Sequence, residues 1–387
     1  MLKKILSLAL VLALVLTAFS GCGGGGGEES EEAGPILIGS IQPISGAVSA
    51  YGTQSRDAII MAVDEINANG GVLGRELQVI VEDDEANPEK TKNAFTKLVT
   101  KDGVVGIIGA LTSKCTLAIT SDAQARQIIL ITHSSTNDTV TDAGDYIFRA
   151  CYNDSFQGQV VAKFAYENLK SMKAAILFDN TNDYSKGLTE NFKAKFEEMG
   201  GTIVAEESYA TGDKDFNAQL TKISSAGPEV LFIPDYYSTV SLIAKQVRSQ
   251  GLTIPMLGAD GWDEIVNNAG DEVVGCYYSN HYSPDAEDGD VRTFVDKYTE
   301  LYNVSPNALA ALAYDATYIL ADAIEAAGST EPEAIQAAMA ATDKKFVTGQ
   351  ISFDERRNPV KSAVMVEVVK GSEAGKPAVA YSATVNP

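Results

Sequence analysis

Val104-Val105-Gly106-Ile107-Ile108-Gly109-Ala110-Leu111-Thr112-Ser113 is an almost unbroken apolar run that ends in glycine and two hydroxyl side chains. An apolar run this short, bounded by turn residues, reads as a strand covered on both faces, the habit of parallel sheets. Ser113 then stands where a helix should open, since a hydroxyl there satisfies an otherwise unpaired N–H. The same unit recurs in both directions. Apolar runs lie at 36–44, 77–81, 128–132, 174–178, 203–205, 230–233 and 256–258, with helical patterns between them. Ile59, Ala62, Val63 and Ile66 share the i, i+3, i+4, i+7 spacing of one buried helix face. Gly70-Gly71 and Gly200-Gly201 are placed to stop helices, the second beginning near Ser185. Strands alternating with helices predict an α/β fold of open, doubly wound, Rossmann-like sheets. The repeat is too long for one sheet, and it divides near 150–154. After Tyr282 the rhythm changes to helical stretches at 291–302, 308–327 and 332–341 and strands at 351–353 and 364–369. These suggest lobes at 36–153 and 154–283, a return to the first lobe over 284–361 and to the second over 362–387.

Composition excludes several functions. The chain has 387 residues, with 30 Lys+Arg against 52 Asp+Glu and a formal charge of −22. A surface that acidic repels a phosphate backbone, so no nucleic-acid partner is expected. Two histidines, His133 and His281, are too few for a His-rich metal site, and Cys22, Cys115, Cys151 and Cys276 form no CxxC pair. No metal or other cofactor is called for. There is no Gly-x-Ser-x-Gly elbow, Walker A loop or His-Glu-x-x-His motif. His133 beside Ser134 is the one conceivable nucleophile–base pair, and its spacing fits no hydrolase pattern.

The N-terminus reads as a leader. Lys3 and Lys4 precede an apolar stretch over 5–19, too short for a membrane span and suited to a secretory signal. Phe19-Ser20-Gly21-Cys22 resembles a bacterial lipobox, in which the cysteine is lipidated and becomes the new N-terminus. That assigns 1–21 to a lipoprotein signal peptide. The glycine- and glutamate-rich stretch 22–35 then forms a flexible tether, which places the protein outside the cytoplasmic membrane, anchored by lipid at Cys22.

Hydroxyls, aromatics and one acid cluster just past strand ends, where doubly wound sheets bind ligands. They are Ser113, Ser134, Thr136, Tyr184, Tyr236 and Asp260. A helix N-terminus carrying a serine suits a carboxylate, and a buried carboxylate suits an ammonium.

Further markers are Ile38-Gly39, Ser45-Gly46, Tyr51-Gly52, Asp64-Glu65-Ile66-Asn67 and Glu82-Asp83-Asp84 with Asn87-Pro88. Gly212-Asp213-Lys214-Asp215-Phe216 and Val347-Thr348-Gly349 complete the series. In this order and spacing the chain resembles the leucine/isoleucine/valine-binding protein family, the type I periplasmic substrate-binding proteins of ABC transporters, from Ile36 to Val368. The resemblance implies two Rossmann-like lobes joined by a three-strand hinge, with ligand between them. It assigns Ser113, in the Leu-x-Ser loop, to the ligand carboxylate. Ser134, Thr136 and Asp260 go to the amino group, and Tyr184, Tyr236 and Tyr51 to the cleft walls. Trp262 is expected to line the side-chain pocket. Two departures stand out. Founding members carry a disulfide where this chain has Ala86 and Thr112, so Cys115, Cys151 and Cys276 pair otherwise or not at all. Branched-chain binders also often have Glu at the position of Asp260.

The reading is an extracytoplasmic lipoprotein of an ABC importer. It would capture an amino acid, branched-chain or otherwise hydrophobic, by cleft closure, deliver it to a membrane permease and catalyse nothing. The alternatives are the same fold with an amide, urea or aromatic acid as ligand, or a secreted hydrolase using Ser134 or His133.

Overall fold

Alternate residues of one set of strands serve two different cores, and this builds the first sheet. β1 (Ile36–Gln42), β2 (Leu77–Asp83), β3 (Gly106–Ile108), β4 (Ile129–Thr132) and β5 (Ile147–Arg149) run parallel in the order β2-β1-β3-β4-β5. Ile36, Ile38, Ile108, Ile129 and Ile131 point to one face. Ile41, Ile107, Leu130 and Ile147 point to the other, as a period of two requires. Helices Ser49–Ala68 and Ala308–Ala327 cover the first face, and Phe95, Leu98 and Ile119 pack on the second. Hence the strands are mostly apolar, with Ser40, Gln42, Thr132 and Arg149 buried toward their carboxyl ends, and the edge strand β2 is half-exposed. The computed structural model describes residues 34–373 and 375–385, with side chains as far as residue 380. The leader, Cys22 and almost all of the tether lie outside the described residues.

The second sheet begins with β6 (Lys173–Asp179), β7 (Thr202–Tyr209), β8 (Val230–Phe232), β9 (Met256–Gly258) and β10 (Tyr277–Asn280), again parallel. From β10 the chain passes into helices Gly289–Tyr302, Ala308–Ala327 and Pro332–Ala340. Ala313, Ala316, Ile319, Leu320, Ile335 and Met339 from the last two join the core of the first sheet. A hairpin of β11 (Asp343–Phe346) and β12 (Gly349–Ser352) follows. β13 (Ala363–Lys370) and β14 (Pro377–Val385) then add antiparallel beside β10, completing β14-β13-β10-β9-β8-β6-β7. The architecture is α/β with two doubly wound lobes.

The glycine pairs act as the sequence indicates. Gly71 N–H reaches Ile66 O and Gly201 N–H reaches Phe196 O, both closing helices. The second helix runs Asp183–Glu198 and opens two residues before Ser185, because Asn182 Oδ1 accepts the Tyr184 N–H. Four strands lie outside the expected runs: β5, β10, β11 and β14. Cys115, Cys151 and Cys276 are all buried and unpaired. Burial pushes the thiols of Cys115 and Cys151 up to about 12.

Strand order reverses between β1 and β3 in the first sheet and between β6 and β8 in the second. At such switch points the loops leaving the carboxyl ends diverge and leave a crevice. Gly109 holds the first crevice open at φ +132°, where an added Cβ would come 2.5 Å from Ile41 O. The chain can therefore leave β3 close against β1 and deliver Leu111 and Ser113 to the opening.

Candidate ligand-binding site

Loops from both switch points meet in one small cavity. Tyr51, Leu111, Ser113 and Ser134 line it from the first lobe, and Tyr184, Tyr236, Asp260 and Gly261 from the second. Leu309 at the start of helix Ala308–Ala327 completes the wall. The free space is about 10 Å³, room for roughly one water. Each wall is fixed locally. Asp83 at the end of β2 takes the Ile44 N–H at 3.1 Å and the Ser45 hydroxyl at 2.6 Å, pinning the loop that leads to Tyr51. Tyr51 then donates its hydroxyl to Gly261 O across the cleft at 2.6 Å. Ser113 Oγ accepts the Asn137 N–H at 3.2 Å, and Ser134 Oγ donates to Leu111 O at 2.9 Å. The helix opened by Ser113 is only five residues long, Ser113–Leu117, so its dipole is small and the local N–H and hydroxyl donors supply most of its pull on an anion.

Asp260 is 4% exposed and collects three hydrogen bonds. Tyr184 Oη donates to Oδ1 at 2.8 Å, Gln157 Nε2 donates to Oδ1 at 3.2 Å, and His281 Nε2 meets Oδ2 at 2.9 Å. Tyr184 Oη also accepts the Gly261 N–H at 2.8 Å, which fixes its direction. Burial, with Asp260 adjoining, pushes the Tyr184 hydroxyl well above 10, so it remains a donor. Tyr236 stacks on Tyr184 with centroids 5.1 Å apart and planes 5° from parallel. Gly261 is a close-approach glycine here, since a Cβ would stand 2.7 Å from Tyr184 Oη and 2.8 Å from Asp235 O. Among the described residues, the only ionisable base within ion-pair distance of Asp260 is His281. Burial pushes that imidazole below its ordinary 6.5. Near neutral pH the Asp260 carboxylate therefore meets neutral donors and no cation. A buried charge left so is costly unless a ligand balances it.

Six of the eight expected ligand residues lie on this wall: Tyr51, Ser113, Ser134, Tyr184, Tyr236 and Asp260. Two do not. Trp262 is fully buried behind Asp260, donating Nε1–H to Ile233 O at 2.8 Å and lying so close to Gly258 that a Cβ there would be 2.3 Å from the indole. It supports the loop from inside the lobe. Thr136 is buried off the wall, its carbonyl accepting the Asp154 N–H at 2.8 Å. Leu111, Gly261 and Leu309 join the wall unannounced, and Gln157 and His281 hold Asp260 from behind it. His281 directly follows β10, and a strand recognised there would have put it in the same strand-end class as Asp260. His133 is fully buried with no hydrogen-bond partner at either ring nitrogen, and burial pushes it down to about 3. Ser134 donates to a carbonyl instead, so the two form no nucleophile–base pair.

Residues 35–375 match the periplasmic binding protein family. The chain is 31% identical over 331 residues to the leucine-, isoleucine-, valine-, threonine- and alanine-binding protein of Pseudomonas aeruginosa, covering 84% of this chain and 88% of that one. Its structure is similar to that of a leucine binding protein from Thermotoga maritima, with a TM-score of 0.86, 34% identity, and 91% and 99% of the two chains covered. The branched-chain amino acid transporter substrate binding protein of Streptococcus pneumoniae, solved with isoleucine, gives a TM-score of 0.82 at 34% identity, covering 89% of this chain and 100% of that one.

Proposed function

The chain belongs to the periplasmic binding protein family, and from that membership we propose that it captures an amino acid, branched-chain or otherwise hydrophobic, between its lobes and delivers it to the permease of an ABC importer. One observation carries the reading: a buried carboxylate, Asp260, has hydrogen-bond donors and no cation beside it at neutral pH, and it faces a cavity walled by two serine hydroxyls. An α-ammonium would neutralise Asp260, an α-carboxylate would take the donors around Ser113 and Ser134, and Leu111, Leu309 and Tyr236 offer the apolar wall for a side chain. The ligands named for the similar proteins support the same class. A bare carboxylic acid fits less well, because it would bring a second negative charge to Asp260.

Calorimetry with leucine, isoleucine and the des-amino analogue 4-methylpentanoate tests this. The amino acids should bind with one-to-one stoichiometry and without turnover, and the analogue at least about thirtyfold more weakly, at ~1.4 kcal/mol per decade. Equal affinity for 4-methylpentanoate would sink the ammonium assignment.

The lipobox-like Phe19-Ser20-Gly21-Cys22 supports attachment outside the cell membrane through lipid on Cys22. Cys22→Ala should move the protein from the membrane fraction to a soluble or unprocessed form. A native protein with an intact leader and an unmodified Cys22 would refute the anchor.

A further inference from the structure

Asp260 looks onto the small interlobe cavity. Its other oxygen meets His281, whose ring is fully buried and whose main chain borders a separate cavity of about 690 Å³, also lined by Tyr282, Thr348, Gly349, Lys361 and Ser362. Those segments are where the chain passes between the sheets, after β10, at the β11–β12 hairpin and before β13, so the second cavity sits at the hinge. One imidazole thus separates the ligand-facing carboxylate from the hinge space. It is held in place on three sides. Tyr152 stacks on it with centroids 3.8 Å apart, Asn280 Oδ1 accepts its backbone N–H at 2.8 Å, and Asp260 holds Nε2. Nδ1 is buried and meets no protein hydrogen-bond partner.

We propose that His281 is a proton-linked positioning residue: it orients Asp260 for the ligand ammonium, and ligand capture drives a proton off the imidazole. The inference rests on the amino-acid reading above. When its ring is protonated, His281 holds an imidazolium against Asp260 through the Nε2–Oδ2 contact. An arriving ammonium would be a second cation at one buried carboxylate, and the two positive charges repel. The Nδ1–H bond then breaks, its electron pair stays on nitrogen, and the proton passes to a water or buffer molecule. The neutral ring keeps its Nε2–H and still donates to Asp260. Protonation and ligand compete for one carboxylate, so affinity must rise with pH through the free-state titration of His281 and level off above it. Burial holds that titration below 6.5, so the linkage belongs to the acid side of that value.

Other groups near the ring could mimic this. On the cleft side Asp154 is fully buried, its carboxyl pushed well above the usual range by that burial, and it shares Gln157 with Asp260 at 3.0 Å and 3.2 Å. Tyr152 and Tyr184 are phenols held protonated by burial. On the hinge side are Asp285, Asp288 and Lys361, whose ammonium burial pushes down to about 8. A proton from Lys361 would show near pH 8, and one from Asp154 would survive loss of the imidazole.

Leucine titrations of the whole protein at pH 4.5, 5.5, 6.5 and 8, each in two buffers of different ionisation enthalpy, count the protons released. Release should be absent at pH 8 and rise toward one per leucine as the pH falls through the His281 titration, while the affinity falls by up to tenfold per pH unit below it. His281→Gln can still donate one N–H to Asp260 but cannot titrate. It should bind leucine with affinity flat across that range and release no proton, whereas His281→Phe should lose affinity at every pH. The wild-type proton count needs no variant, so a misfolded substitution leaves the test intact. Leucine binding without proton release at any pH from 4.5 to 8, or release that persists in a folded His281→Gln, overturns the proposal and leaves the amino-acid reading standing. Failure of leucine, isoleucine and valine to bind wild type at any pH overturns both.

Discussion

Three donors converge on Asp260, at 2.8, 2.9 and 3.2 Å, and near neutral pH none of them brings a positive charge. The consequence for substitution is asymmetric. Asp260→Asn keeps one acceptor oxygen, exchanges the other for an NH2 group and removes the charge, so its largest cost should fall on ligand binding. Breaking a desolvated charge pair typically costs about 2–5 kcal/mol, roughly thirtyfold or more in affinity. Ser113→Ala leaves the neighbouring N–H donors and should cost only about 0.5–1.5 kcal/mol. Calorimetric affinities for leucine decide between them, and an Asp260→Asn variant that binds as tightly as wild type would refute the assignment. At this scale the sequence shows the residues that strand ends carry: Ser113, Ser134, Tyr184, Tyr236 and Asp260 are hydroxyls, phenols and an acid just beyond apolar runs. It cannot show which way a side chain turns. Trp262, two residues from Asp260, turns into the lobe, and Thr136, two residues from Ser134, falls behind the wall. Gln157 sits within the helix Asp154–Lys163, where nothing local separates it from an ordinary polar residue.

Among the elements, what was legible follows from burial. Strands covered on both faces must be apolar throughout, so β1, β3, β4, β6, β8 and β9 announce themselves. β10 is Tyr-Tyr-Ser-Asn, inside the second sheet, and β5, at the edge of the first, ends in the buried Arg149. Each keeps its polar groups inside by giving them partners. Arg149 donates to the carbonyls of Ser135 and Asn137, and Asn280 donates to Asp263. That pairing is a tertiary fact with no trace in periodicity. The family-like motifs are explained at this level too. Glu65, from Asp64-Glu65-Ile66-Asn67, takes hydroxyls from Tyr314 and Tyr318 and an ion pair from Lys297. It ties two late helices to helix Ser49–Ala68. Burial alone would raise its carboxyl, but those three partners outweigh burial and hold it below its ordinary value. Asp315 plays the matching part for Val347-Thr348-Gly349, accepting the Val347 and Thr348 N–H groups at 3.0 and 2.8 Å. Lys361 donates in turn to the Thr348 hydroxyl at 2.5 Å. These acids fasten crossovers, and from the sequence alone they are only charged residues in a motif.

At the scale of the whole molecule the cavity is too small for its proposed occupant in this arrangement, so an amino acid must enter while the lobes stand apart and be enclosed as they approach. Contacts that span the cleft without reaching the cavity then set the balance between open and closed. Gln54 in the first lobe donates to Glu264 in the second at 2.6 Å, and Gln54 Oε1 accepts the Asn307 N–H at 2.9 Å. Neither Gln54 nor Glu264 lines the ligand cavity. If ligand selects the closed arrangement, its apparent affinity scales with the fraction of free protein able to close. Losing a hydrogen bond worth about 1 kcal/mol from the closed form alone should therefore weaken leucine binding by roughly fivefold in Gln54→Ala, although no ligand contact is touched. Small-angle scattering supplies the independent readout. The radius of gyration of wild type should shrink on saturation with leucine, and Gln54→Ala should need more leucine to reach the same final value. An unchanged radius at saturation, with binding shown by calorimetry, would mean that the cleft is preformed. In that case Gln54 could weaken binding only through the ligand, and the fivefold effect should be absent.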